Sequence, residues 1–93
     1  MGISVDTSRE QLLREGYQRV DLWRDPPGAA QALHFHTCET VNIVIDGELS
    51  LTMGGRTRVL GWGERVDLPP GLMHETKSGP KGCVFLIGER RPE

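Results

Sequence analysis

The sequence predicts an all-β fold: an antiparallel barrel or sandwich of about eight short strands behind one short helix. Three observations carry that prediction. From Tyr17 onward, apolar residues fall in short alternating or continuous runs, each closed by turn residues. Twelve glycines and six prolines among 93 residues are spread along the chain, which marks repeated turns and not a disordered tract. No second stretch combines helical periodicity with helical length. A chain this short forms one domain, and it buries about 60–65% of the surface its unfolded form exposes, so the core is thin.

The elements follow in order. "DTSREQLLREG", residues 6–16, reads as a helix. Thr7 and Glu10 have capping-box spacing at its start, and Gly16 suits the left-handed residue that ends it. Leu12 and Leu13 supply its apolar face, so it must lie on something larger. Residues 1–16 are therefore read as a short N-terminal helical extension and residues 17–93 as the barrel domain. "YQRVDLW" alternates until "DPPG" stops it; "ALHFH" and "TVNIVI" follow. Asp46-Gly47 then signals a tight turn. "ELSLTM" and "RTRVL" flank Gly54-Gly55 as a hairpin, and "ERVDL" comes next. "HETK" and "CVFLI", separated at Gly79-Pro80, complete the set, and the polar tail "GERRPE" is expected to fray.

Charge and composition exclude some functions. A net charge of −2 offers no electrostatic case for nucleic acid or anionic membranes. No apolar run approaches the ~20 residues of a membrane span, and no basic segment leads into an apolar one at the N-terminus, so a cytoplasmic location is expected. Cys38 and Cys83 form no C-x-x-C unit and are read as reduced thiols, Cys83 as a core residue. Met53, Met73 and Phe35 read as core or pocket wall, Trp62 as a turn or interface residue, and Arg56, Arg58 and Arg65 as a solvated face.

The chemistry lies with the three histidines. His34 and His36 are two apart, so on a strand both imidazoles point to one face. Imidazole suits iron, nickel, zinc and copper, and a rigid strand pre-organises such ligands. His74 follows "LPPG", where Pro70 and Gly71 suit the centre of a type II turn that starts a new strand. Spacing alone leaves the alternative that each histidine is simply hydrogen-bonded in the core.

Two longer patterns resemble the paired motifs of the cupin superfamily. The first runs Gly28, five residues, His34-x-His36, three residues, Thr40, six residues, Gly47. The second runs Gly63, five residues, Pro69-x-Gly71, two residues, His74, three residues, Ser78. The family has glutamate where this chain has Thr40, and commonly asparagine at the place of Ser78. The resemblance implies a small single-domain cupin, a β-barrel of jelly-roll type. It also implies that His34, His36 and His74 bind a divalent transition metal: iron, manganese, nickel, zinc or copper. The fourth ligand is open. A threonine hydroxyl is a poor substitute for a carboxylate. Glu39 is one residue away and faces out of a regular strand, although a bulge there would re-aim it inward. Asn42 shares parity with Thr40 and is expected to face the interior.

Two functions remain, both with a small-molecule ligand. Three neutral ligands leave a divalent ion its full charge and an open position, and the resemblance implies dioxygenase- or isomerase-type chemistry on a small oxygen-containing metabolite. The alternative is a non-catalytic binding or sensing cupin. A third branch, metal-free sugar epimerisation, needs a tyrosine beside the barrel residues, and the only tyrosine is Tyr17. A homodimer is expected, since small barrels gain from covering open sheet edges; the helix and the Tyr17–Trp23 strand are the expected contact.

Overall fold

The computed structural model describes residues 4–91, so the last two residues of the polar tail lie outside it. The described chain forms α1 (Val5–Arg14) and six strands: β1 (Arg19–Asp25), β2 (Ala30–His34), β3 (Glu39–Met53), β4 (Arg56–Leu60), β5 (Arg65–Leu68) and β6 (His74–Arg90). The helix starts one turn earlier than its sequence suggested. Ser4 is the cap, accepting from the Thr7 N–H at 3.3 Å, which brings Val5 against the same apolar cluster as Leu12. At the other end the Gly16 N–H donates to Leu13 and the Tyr17 N–H to Leu12, each at 3.1 Å. With Gly16 at φ 94° this is a Schellman closure. Leu12 is buried, whereas Leu13 stays half-exposed.

Eight expected strands become six because two pairs are continuous. Asp46-Gly47 does not reverse the chain; β3 runs through it, with register shifts between Val44 and Asp46 and between Gly47 and Leu49. Gly47 has φ 79°, and a Cβ there would stand 2.2 Å from the Gly82 carbonyl oxygen. An Asp-Gly pair supplies positive φ, and here the chain uses it for a bulge that bends the strand. β6 likewise passes through Gly79–Gly82.

These bends fold one antiparallel sheet into two halves. In one, β1 and the N-terminal part of β3 flank the C-terminal part of β6, and β5 pairs with β3. In the other, β2 pairs with the start of β6, which pairs with the C-terminal part of β3, and β4 closes the edge. The halves enclose Val44, Leu49, Leu51, Leu60, Leu68 and Phe85, with Cys83 among them as expected. Burial pushes the Cys83 thiol up to about 11, with help from Asp25 and Asp46. A second cluster, Leu12, Tyr17, Val41, Ile43 and Leu86, fastens the helix to the outside of the first half.

β3 shows how period two divides these jobs. Val41 and Ile43 face the helix, whereas Thr40, Asn42 and Val44 face the space between the sheets; all five are buried. Other expectations need correction. Phe35 and Met73 are exposed and only Met53 packs on the core. Arg65 is no solvated residue: it grips Glu15 at 2.6 Å and Asp67 at 2.8 Å, tying β5 to the end of the helix. The Arg65 hydrogen bonds first, and one from the Gln11 amide at 2.9 Å next, hold the Glu15 carboxyl at about 2.

Candidate metal centre

Backbone pairing brings the histidines together. His34 on β2 and His74 on β6 are direct cross-strand partners. The Pro69–Leu72 turn forms as the sequence suggested: the Leu72 N–H donates to the Pro69 carbonyl at 3.3 Å and Gly71 has φ 82°. That turn also donates its Gly71 N–H to the His36 carbonyl at 2.9 Å, pinning the segment after β2 beside the start of β6. The ring centroids are 5.0 Å apart for His34–His36, 4.3 Å for His34–His74 and 5.1 Å for His36–His74. One ring nitrogen from each lies within 4.8 Å of the others. His74 is 2% exposed, and the other two are half-buried.

The hydrogen bonds leave the right nitrogens available. His34 Nδ1 lies 2.7 Å from the Ala32 carbonyl and His74 Nδ1 lies 3.0 Å from the Leu72 carbonyl. A carbonyl only accepts, so each Nδ1 carries the proton and each Nε2 keeps its lone pair. A backbone carbonyl that orients a ring in this way is the usual support for a metal-binding imidazole. Burial, then the neighbouring His74 and His34, lower the His36 pKa and favour the neutral ring a metal needs; Glu89 alone pulls the other way. The donor set therefore fits a borderline divalent ion.

Glu39 is not part of this cluster. It sits opposite Arg90 across β3 and β6, and its carboxylate accepts from the Arg90 guanidinium, through Nε at 2.9 Å and through Nη2. Pairing is regular from Glu39 to Val44, so the bulge that would re-aim Glu39 inward is absent at this position. Instead it lines a cleft of about 180 Å³ with Tyr17, Asp67 and Arg90. Thr40 faces inward, but its hydroxyl donates to the Cys38 carbonyl at 3.4 Å. Asn42 is buried beside it, and its Oδ1 has no partner. Tyr17 packs on the helix side under Arg90, 4.6 Å from the guanidinium carbon, away from the role an epimerase would need. Ser78 is structural: its hydroxyl accepts from the Ala29 N–H at 2.9 Å and donates to the Pro26 carbonyl, locking the β1–β2 connection onto β6.

Glu89 escaped the sequence reading. It is the direct cross-strand partner of Thr40 and, two residues on from Ile87, shares its face. Alternation along "CVFLIGER" could have pointed to it once Phe85 was placed inside.

The cupin-domain family model matches residues 21–87. The chain belongs to the cupin family. No curated protein matches it. Among solved structures, this cupin is similar to a Rhizobium leguminosarum protein of unknown function, at 26% identity and a TM-score of 0.73, with 78% of this chain and 69% of that one covered. It is also similar to the DMSP lyase DddQ of Ruegeria pomeroyi, at 28% identity and a TM-score of 0.70, covering 76% of this chain and 36% of that one. Bacillus subtilis oxalate decarboxylase, described with Mn(II) centres, matches at 27% identity and a TM-score of 0.68, covering 77% and 20%. This chain thus spans only 36% and 20% of the length of those two longer chains. No helix among its described residues is long and apolar enough to cross a membrane.

Proposed function

We propose that this cupin holds a divalent transition metal on His34, His36 and His74 and uses it on a small oxygen-containing metabolite, as an enzyme of dioxygenase or isomerase type. The observation that carries the reading is the convergence of three ring nitrogens, two of them freed for ligation by backbone acceptors on Nδ1. A bound metal would supply a Lewis acid with open positions for an oxygen ligand. The chain itself supplies orientation: the Gly71–His36 bond keeps the two segments in register, and buried His74 anchors the centre. Similarity to a decarboxylase with Mn(II) centres supports metal chemistry in general, similarity to a lyase supports a catalytic role, and iron, manganese, nickel, zinc and copper remain the choices.

The test is metal uptake by the purified protein, with His34→Ala and His74→Ala beside it. We expect about one ion per chain in the wild type and at least ~100-fold weaker binding in either variant. A wild-type protein that takes up none of the five metals would overturn the reading.

A non-catalytic sensing role is the second reading, supported by the disposition of Thr40 and Glu39, neither of which brings an acid to the cluster. A ligand that raises the melting temperature without being turned over would favour it. The reading further holds the protein to be a cytoplasmic homodimer. Unpaired Cys38 and Cys83 fit a reducing compartment, and exposed Leu13, Leu22 and Trp23 fit a contact through the helix and β1. Mass in solution checks the dimer.

A further inference from the structure

The interior wall beside the histidines carries two hydrogen-bond acceptors that the metal reading leaves unused. Glu89 and Thr40 are cross-strand partners, as are Ile87 and Asn42, so Glu89 and Asn42 lie on one face one pair apart. That face is the inner one, since Ile87 packs against the core between the sheets and Gly88 backs onto Val41 and Tyr17 on the helix side. The Glu89 carboxylate is half-buried and forms no ion pair among the described residues; its one side-chain bond is a long one, from the Cys38 thiol at 3.7 Å. Arg19 on β1 is the other direct cross-strand partner of Glu89 and shares its face, and with Gln18 and Arg91 it borders the opening beside Glu89, but Arg19 is held by Asp21 at 2.7 Å. The Glu89 charge is also felt at His36. Asn42, 6% exposed, adds an Oδ1 with no donor, and a buried acceptor left in that condition calls for a donor from a ligand or water.

An anionic acceptor beside a metal has opposite effects on two kinds of ligand. It accepts a hydrogen bond from a hydroxyl or amine, which strengthens in a half-buried site. It repels a second carboxylate, which has nothing to donate. We infer that Glu89 is a specificity-determining residue of this site: it favours a metal-bound ligand that carries a hydroxyl or amino donor over one that carries a second carboxylate. Glu89 thereby supplies from β6 the acidic group that Thr40 on β3 does not. The inference rests on the proposed metal site.

Cobalt(II)-loaded protein, titrated with glycolate and with oxalate while its visible absorption is followed, tests it. Both probes chelate through two oxygens; only glycolate carries a hydroxyl. Glu89→Gln should bind cobalt at the same stoichiometry as wild type while its glycolate-to-oxalate affinity ratio falls roughly tenfold or more, the size of a charge-assisted hydrogen bond. Glu89→Ala should lower the ratio in the same direction. Glu39→Gln, which removes a carboxylate already committed to Arg90, should leave the ratio within about twofold. A ratio unchanged in both Glu89 variants, or one that falls equally in Glu39→Gln, overturns the inference and leaves the metal site standing. Failure of wild type to bind cobalt removes both.

Discussion

The space between the two sheet halves is furnished in two ways by the same pair of strands. Around Leu49, Leu51, Leu60 and Phe85 it is dry and closely packed. Around His74, Thr40 and Asn42 it is just as buried but polar, and one oxygen goes without a partner. β3 contributes to both regions, Thr40 and Asn42 before its bulge and Leu49 and Leu51 after it. Burial alone therefore does not mark stability in this protein. The dry region holds the fold, while the polar region accepts a local cost to keep donors and acceptors facing an interior site, as functional sites commonly do.

The largest effect should come from the dry side. Leu51→Ala removes a fully buried side chain from a thin core and should cost about 2–5 kcal/mol, read as a lower urea midpoint. A loss under about 1 kcal/mol would mean that this region is not the structural one. The bend joining the regions comes next. Gly47→Ala forces a side chain onto positive φ and into the Gly82 carbonyl, and should cost roughly 1–3 kcal/mol or more. Circular dichroism should show the strands retained at low temperature and a lower Tm.

On the polar side the sign should reverse. Asn42→Leu replaces an unsatisfied buried amide by an apolar group of similar volume, and in metal-free protein should stabilise by about 1 kcal/mol. Destabilisation instead would show that Asn42 is satisfied in solution and that the contrast is weaker than drawn. The smallest effect lies outside both regions. Glu15 is held at about 2 against an ordinary 4.5, so folding favours its ionised form. That contribution is complete above the unfolded value and disappears as the pH falls through the interval from 4.5 toward 2, because the unfolded chain takes up the proton first. After allowance for solvent screening it amounts to about 1 kcal/mol. Acid unfolding of Glu15→Gln should show a correspondingly shallower dependence over that interval.

Much of this was legible along the chain, for local reasons. The helix stop at Gly16, the Pro70-Gly71 turn, the inward parity of Thr40 and Asn42 and the core position of Cys83 follow from backbone conformation and period two, which neighbouring residues dictate. The errors share one cause. Asp46-Gly47 announces positive φ, but whether such a residue reverses the chain or bulges it depends on what lies opposite, and Gly82 is 35 positions away. Arg65 looked like a surface charge and Glu39 like a candidate fourth ligand because their partners, Glu15 and Arg90, are brought close only by the finished sheet.

By itself, then, the chain determined a β-rich domain with a leading helix and set His34 and His36 close together, since these need only near neighbours. β2 ends at His34 and His36 lies just beyond it, so the two do not share a strand face. Tertiary structure alone decided that His74 joins them, that Glu39 is taken by Arg90 and that Glu89 comes to stand across from Thr40. Each of those outcomes is a cross-strand pairing, and register between distant strands is set by the whole pattern of buried faces and bulges rather than by any one segment.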